Sequence, residues 1–194
     1  MERDMTEITD LRIEDIPDAL SISKRELGID YLFESDFLEC LKPDNGYFCK
    51  VAVSDNRVCG FVINHIFGPE KADEYLKLPL SKERDEILSV KRIGILDSAS
   101  VDDTFKGMGI GSELIRASYD EMLVNDVNAI CAMAWRSVNG TTNIKGILEK
   151  IGLRETISIP GYWNLMVESP EGHHCPDCKE PPCRCYGVFY VKYL

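Results

Sequence analysis

The sequence predicts a mixed α/β fold, a central and mostly antiparallel sheet flanked by helices. Segments with strand character and segments with helical spacing follow one another as strand, two helices, three strands, helix, strand, helix and a final strand pair. One strand ends in a glycine-rich turn that opens a helix, and another apolar strand follows at once, a β-loop-α-β succession. The 194 residues, 44% apolar and 28% charged, suffice for one sizeable core, so a single domain over 1–194 is expected.

Thr6 to Leu11 read as a first strand. Ile13 to Leu27 read as a helix, because Ile16, Ala19, Leu20, Ile22 and Leu27 recur at helical spacing. Phe33, Phe37, Leu38 and Leu41 mark a short second helix, stopped by Pro43 and the Asn45-Gly46 turn signal. Tyr47 to Val53 and Val58 to Phe67 are rich in β-branched and aromatic residues, and Ser54-Asp55-Asn56-Arg57 between them completes a hairpin pattern. From Gly68 to Arg92 charge dominates, which predicts a solvated insertion with some helix. Ile93 to Val101 return to strand character. Ser112 to Leu123 carry the apolar set of a helix, Leu114, Ile115, Ala117, Met122 and Leu123, and Ala129 to Trp135 form the next buried strand. Thr141 to Ile151 predict a further helix, ended by a left-handed cap at Gly152. Strands at about Thr156 to Val167 and Gly187 to Leu194 close the chain.

A formal net charge of −11 argues against a general nucleic-acid binder, whose affinity comes from clustered Lys and Arg, and suits a cationic partner such as an amine. The first twenty residues carry charges throughout, and no span approaches the roughly 20 apolar residues of a membrane helix. The expectation is a cytoplasmic protein with neither a nucleic-acid nor a membrane partner, in a compartment where thiols stay reduced. No motif addresses oligomeric state, and a homodimer is left open.

A strand that ends in a glycine-rich turn and opens a helix aims several free backbone N–H groups at one point, and the helix dipole adds partial positive charge there. Gly107, Gly109 and Gly111 let the backbone approach an anion without Cβ clashes, and Lys106 adds a formal charge. A dinucleotide fingerprint belongs at the first strand of a βαβ unit with an acidic residue on the next strand, and neither holds here. A P-loop needs Lys-Ser or Lys-Thr after the glycines, which is absent.

The run Val101-Asp-Asp-Thr-Phe-Lys106-Gly107-Met108-Gly109-Ile110-Gly111-Ser112-Glu113-Leu114 resembles motif A of the GNAT N-acetyltransferases. There, a strand ending in Val precedes Arg/Gln-x-x-Gly-x-Gly/Ala at a helix start, and Lys106 takes the Arg/Gln position. The resemblance extends over nearly the whole chain. It implies a GNAT acyl-CoA N-acyltransferase fold whose splayed strands leave a slot for acetyl-CoA. Lys106 and the amides of Gly107, Met108, Gly109, Ile110, Gly111 and Ser112 would hold the coenzyme A pyrophosphate. The backbone at Ala99, Ser100 and Val101 would hold the pantetheine and the acetyl carbonyl. Residues 141–153 look like motif B, with Gly152-Leu153 in place of its Gly-Phe pair and Asn143 facing the cofactor. The implied reaction is acetyl transfer to a primary amine of a protein N-terminus, a lysine or a small metabolite, by direct attack on the thioester.

Such a transfer needs a neutral amine, a polarised carbonyl and a proton for the departing thiolate. A carboxylate helps with the first, because an amine with a pKa near 10 is protonated at neutral pH. Asp97, four residues before Val101 on the motif strand, is the candidate. A backbone N–H where the strand splays would stabilise the oxyanion. Many relatives carry a Tyr on motif B as general acid, but Leu148 stands there, so Tyr162, Tyr119 or water is left for that role, or the thiolate leaves without help. Trp135 and Trp163 are candidate walls of the acceptor path.

Four of the eight cysteines lie in His173-His174-Cys175-Pro-Asp-Cys178-Lys-Glu-Pro-Pro-Cys183-Arg-Cys185. Two close thiolate pairs suit one tetrahedral Zn2+ on Cys175, Cys178, Cys183 and Cys185, with His173 or His174 as a replacement ligand. Free thiols, redox pairs and an iron–sulfur cluster stay open. Cys40, Cys49, Cys59 and Cys131 sit singly on apolar segments, as core residues do. Two alternatives to an enzyme remain: a non-catalytic acyl-CoA sensor and a zinc-dependent interaction module.

Overall fold

The structure is a computed structural model that describes residues 6–194. Its strands are β1 Glu7–Asp10, β2 Tyr47–Ser54, β3 Arg57–Phe67, β4 Ile93–Val101, β5 Ala129–Arg136, β6 Arg154–Pro160 and β7 Tyr186–Tyr193. Its helices are α1 Ile16–Glu26, α2 Glu34–Glu39, α3 Pro69–Leu76, α4 Lys82–Leu88, α5 Ile110–Val124 and α6 Lys145–Lys150. All seven strands form one sheet in the order β1-β2-β3-β4-β5-β7-β6. Only β4 and β5 pair in parallel, joined by the right kind of connection, the long α5 crossover.

The β2–β3 hairpin turns at Asp55 and Asn56, both left-handed at φ 51° and 58°, the backbone that favours Asn and Asp in a two-residue turn. Side-chain alternation along the strands divides the core. On one face, α1 and α2 cover Cys49, Val51, Phe61 and Ile63. Beside them, α3, α4 and the Cys-rich segment cover Phe67, Ile93, Ile95, Cys131 and Phe189. On the other face, α5 and α6 set Ile110, Leu114, Met122 and Leu148 against Val62, Leu96, Ile130 and Tyr190. The four single cysteines lie where the strands and α2 place them: three are buried and Cys40 is half-buried.

Three elements depart from the expectation. The charged insertion is more than solvated helix: Ala72, Leu76, Leu78 and Ile87 are buried in the same cluster as Ile93, Ile95 and Tyr162. Its charges occupy the outer faces of α3 and α4, so the runs of Lys, Glu and Asp hide a thin apolar stripe. The helix expected from Thr141 starts only at Lys145, because the Thr141 carbonyl accepts the Ser137 N–H at 2.9 Å and closes a turn. The strand expected to reach Val167 ends at Pro160, where Gly161 turns left-handed and Tyr162–Leu165 coil into a 3-10 turn. Among the described residues, no helix is long and apolar enough to cross a membrane.

Candidate functional site

The parallel pairing of β4 with β5 runs only from Ile93–Ala129 to Leu96–Ala132. Beyond that point β5 follows β7, with Trp135 opposite Gly187, while β4 follows β3 to Val101. The two strands therefore splay, and the β5-facing edge of β4 keeps backbone N–H and C=O groups without a ladder partner. A β-bulge sits at the fork: Ile63 pairs with Ser98 and Asn64 with Leu96, so Asp97 is the extra residue. The bulge turns Asp97 and Ser98 toward the same face.

A groove of about 710 Å³ fills the fork. Its walls include Asp97, Ser98, Ala99, Ser100 and Val101 from β4, Trp135 from β5, and Asn143. Lys106 stands at its outer end. At that end, Gly107 and Gly109 are left-handed at φ 81° and 89°, and a Cβ on either would meet open space. Gly109 is the N-cap of α5 and supplies no capping side chain. Among the described residues, the N–H groups of 107–111 have no backbone acceptor, whereas Ser112 donates to Gly109 at 2.9 Å. The run of free amides thus ends at Gly111, one residue short of the run the resemblance implied, because the first helical turn uses the Ser112 amide. Lys106 does not present a free charge: its Nζ bonds Glu26 at 2.6 Å and also meets Asp103. Partial burial would lower its pKa, but the two carboxylates outweigh that and raise it.

Asp97 stands at the inner end of the groove, and its side chain is only 10% exposed. The Ser98 hydroxyl donates to its Oδ2 at 3.0 Å, and Nε2 of the buried His65 lies 3.3 Å from the same oxygen. A second cavity, of about 230 Å³, opens on the other side of Asp97 and Ser98 and is lined also by Tyr31, Asp36, Glu74 and Tyr75. Asp97, Ser98 and Tyr31 border both spaces. Burial, then the charge of Asp97, holds the Tyr31 and Tyr75 hydroxyls protonated far above their ordinary range. Burial likewise pushes the Asp36 carboxyl up, with Asp97 adding to it.

The sequence matches the Acetyltransferase (GNAT) family over residues 7–140, from β1 through β5. The chain belongs to the GNAT acetyltransferase family. No curated protein sequence matches it. Among solved structures, the ribosomal-protein-S18-alanine N-acetyltransferase of Escherichia coli is 16% identical, with a TM-score of 0.64 over 97% of this chain and 94% of that one. Arabidopsis thaliana NAA60, in complex with a bisubstrate analogue, is 12% identical, with a TM-score of 0.67 over 97% and 98%. The polyamine N-acetyltransferase of Drosophila melanogaster is 13% identical, with a TM-score of 0.62 over 98% and 100%. These likenesses show a shared GNAT fold.

Within that fold, Tyr162, the general-acid candidate, lies away from both spaces. Its ring packs on Gly187, where a Cβ would come within 2.6 Å of it, and its hydroxyl donates to the Leu76 carbonyl at 2.7 Å. Burial pushes its pKa far up, and it borders neither cavity. Tyr119 also points elsewhere, its hydroxyl held by Lys192. Leu148, at the position of the motif B Tyr, is fully buried. Trp135 and Trp163 do line the groove, with ring centroids 5.8 Å apart. Tyr31, Asp36, His65 and Tyr75 were not foreseen, because they come from a loop, two helices and a strand that share no motif.

The four clustered cysteines come together in the core beside Pro176 and Asp177, which line the groove. Their Sγ atoms lie within 4.8 Å of one another, and Sγ of Cys185 is 3.7 Å from those of both Cys175 and Cys178. That spacing is nearly twice the roughly 2.05 Å of a disulfide. It is close to the edge of about 3.8 Å expected for a tetrahedron of sulfurs with Zn–S bonds of about 2.3 Å. Backbone N–H groups of Cys178 and Arg184 point at Sγ of Cys175 and Cys178, each at 3.3 Å, as suits thiolates that carry charge. The donor set fits zinc. Four thiolates already complete a tetrahedral shell without His173 or His174, whose Nδ1 atoms pair with Asp30 at 3.1 and 3.0 Å.

Proposed function

We propose that the chain transfers the acetyl group of acetyl-CoA to a primary amine, of a protein N-terminus, a lysine or a small metabolite. The fork of β4 and β5 carries this reading, because the Asp97 carboxylate there borders both the groove and the smaller cavity. Acetyl-CoA would lie in the larger one, its pyrophosphate on the amides of 107–111 and its pantetheine along the free edge at Ala99, Ser100 and Val101, with Asn143 alongside. Backbone donors suit that role, since they hold anions and amides without side-chain chemistry.

The amine would arrive from the side of Tyr31, Asp36, Glu74 and Tyr75. Asp97 then accepts its proton, directly or through water, and the neutral amine attacks the thioester carbonyl. Collapse of the tetrahedral intermediate breaks the C–S bond and expels the thiolate, and the second proton leaving the nitrogen passes to that thiolate through water or relayed by the Tyr31 hydroxyl, which ends protonated as it began. The proposal includes one structural Zn2+ on Cys175, Cys178, Cys183 and Cys185; four protein ligands leave it no open position for catalysis.

A sensor that binds acyl-CoA without turnover is the second reading, favoured by the buried Leu148 and the turned-away Tyr162. One experiment separates the two. Thermal unfolding is followed with acetyl-CoA and with coenzyme A, and thiol release is then measured across a panel of peptide amines, lysine and polyamines. Stabilisation with amine-dependent thiol release establishes the enzyme. Stabilisation without release by any amine leaves the sensor, and no stabilisation at millimolar ligand defeats both.

A further inference from the structure

The Cys-rich segment is tied to the acceptor side of the slot by a set of contacts that neither the fold nor acetyl transfer requires. Asp30, in the loop between α1 and α2, accepts from both neighbouring histidines. Its Oδ1 is 3.1 Å from His173 Nδ1, and its Oδ2 takes both the backbone N–H and Nδ1 of His174 at 3.0 Å. The two backbones lie so close that a Cβ on Gly28 would come within 2.7 Å of the His173 ring and 2.8 Å of the His174 carbonyl. Gly28 is also left-handed, at φ 120°. His173 packs between aromatic walls of the groove, 5.5 Å from Tyr31 and 5.8 Å from Trp135, and Tyr31 is 5.9 Å from Trp163.

The other end of the segment is fastened by Asn164. Its side-chain amide donates to the carbonyls of Gly161 and Cys183 at 3.0 and 2.8 Å. Its oxygen accepts from the N–H groups of His173 and Cys183 at 3.0 and 2.8 Å. Pro176 and Asp177, the two residues inside the Cys175–Cys178 knuckle, line the groove themselves. Almost no regular secondary structure holds residues 166–185, so four cross-linked thiolates would supply the rigidity that a helix or strand supplies elsewhere.

From this we infer that the zinc knuckle is a clamp. The metal orders residues 173–185, these hold Asp30 through His173 and His174, and Asp30 fixes Tyr31 in the wall that both cavities share. Acceptor capture then depends on the metal, whereas acetyl-CoA capture, built on residues 99–111, does not. The dependence on acceptor capture rests on the acyl-transfer reading; the mechanical link does not.

The test uses the full chain and no acceptor. Zinc per chain is measured in reduced, purified protein, and hydrogen exchange is followed before and after zinc removal by a chelator, and again after zinc is restored. One zinc per chain is expected. Its removal should raise exchange at 28–32 by about tenfold or more along with 173–185, reversibly, while coenzyme A still protects 107–111. Asp30→Ala should keep the zinc yet release 28–32, which covers the case in which a cysteine variant fails to fold. Exchange at 28–32 that is unchanged in both experiments overturns the clamp. Reduced protein that takes up no added zinc, or that carries iron instead, overturns the zinc site. Failure of coenzyme A to protect the metal-loaded protein overturns the acyl-transfer reading and leaves the clamp to be judged on the exchange alone.

Discussion

Replacing Gly109 by alanine separates the ligand-binding role of the motif turn from its folding role. Gly109 caps α5 at φ 89°, a backbone that costs a residue with a Cβ roughly 1–2 kcal/mol. The added methyl meets no protein atom within 4 Å, so no clash is added to that cost. At about 2–4 °C per kcal/mol for a chain of this size, the unliganded Tm should fall by about 2–8 °C. The methyl stands in open space beside the free amides of 107–111, where it keeps a pyrophosphate from close approach. At a coenzyme A concentration of about 100 times Kd, the ligand stabilises the protein by about 2.7 kcal/mol; a tenfold loss of affinity reduces that to about 1.4 kcal/mol. The assay is thermal unfolding with and without coenzyme A. Gly152→Ala is the control: Gly152 is also left-handed, at φ 95°, and the atoms nearest its added Cβ belong to the flexible Lys192 side chain. It should lower the Tm without changing the coenzyme A shift. A full shift in Gly109→Ala, or a lost shift in Gly152→Ala, would refute the assignment of the turn.

Asp97→Asn should lower kcat/KM by about 10²–10⁴-fold while the coenzyme A shift in Tm stays as in the parent, since the carboxylate serves the amine and not the cofactor. Equal rates would move the base elsewhere. Tyr162→Phe removes the bond to the Leu76 carbonyl and should cost about 1 kcal/mol of stability with kcat unchanged; a fall in kcat would return Tyr162 to the mechanism. Hydrogen bonds from Arg136, at 2.8 Å to each oxygen, hold the Glu155 carboxyl below its ordinary value, helped by Tyr190 and opposed by burial. A folded pKa below the unfolded one contributes stability that is complete above the ordinary carboxylate pKa and is lost as pH falls through the folded value. Glu155→Gln should therefore be less stable than the parent at neutral pH and lose less on acidification. Parallel curves of stability against pH would show that the carboxylate contributes nothing.

Elements written in local pattern were legible. β4 occupies Ile93–Val101 as its composition indicated, and the Asp55-Asn56 pair forms the expected turn. The glycine turn before α5 was legible because glycine is needed wherever φ is positive, and two of its three glycines have that backbone. Asp97 could be named from its offset to the motif. The bulge that turns it onto the face of Ser98 could not, because a register shift is a relation between two strands and leaves no mark on either alone. Among the tyrosines, Tyr162 and Tyr31 are alike in type and both sit in irregular segments. One packs on Gly187 and the other borders the slot, a difference decided by tertiary contacts. The apolar stripe of the insertion was masked by the charges around it, four buried residues among many exposed ones.

The division of labour in the slot explains why its two halves differ in legibility. In the proposed reading, cofactor binding on 99–111 relies on backbone groups, so its demands fall on strand splay and on glycine, which one short contiguous segment can declare. The acceptor wall in that reading would be assembled from the loop at Tyr31, α2, α3, β3, β5 and the Cys-rich segment, each contributing a side chain or two. Such a wall can be rebuilt residue by residue without disturbing the fold or the cofactor site. Solved neighbours only 12–16% identical share this fold, while their names refer to acceptors as unlike as a ribosomal-protein alanine and a polyamine. In this chain the wall has an added fixed point, the clamp on Asp30. If that clamp sets the position of Tyr31, acceptor preference should shift when Asp30 is changed and cofactor affinity should not, which is the separation the fork between β4 and β5 makes physically available.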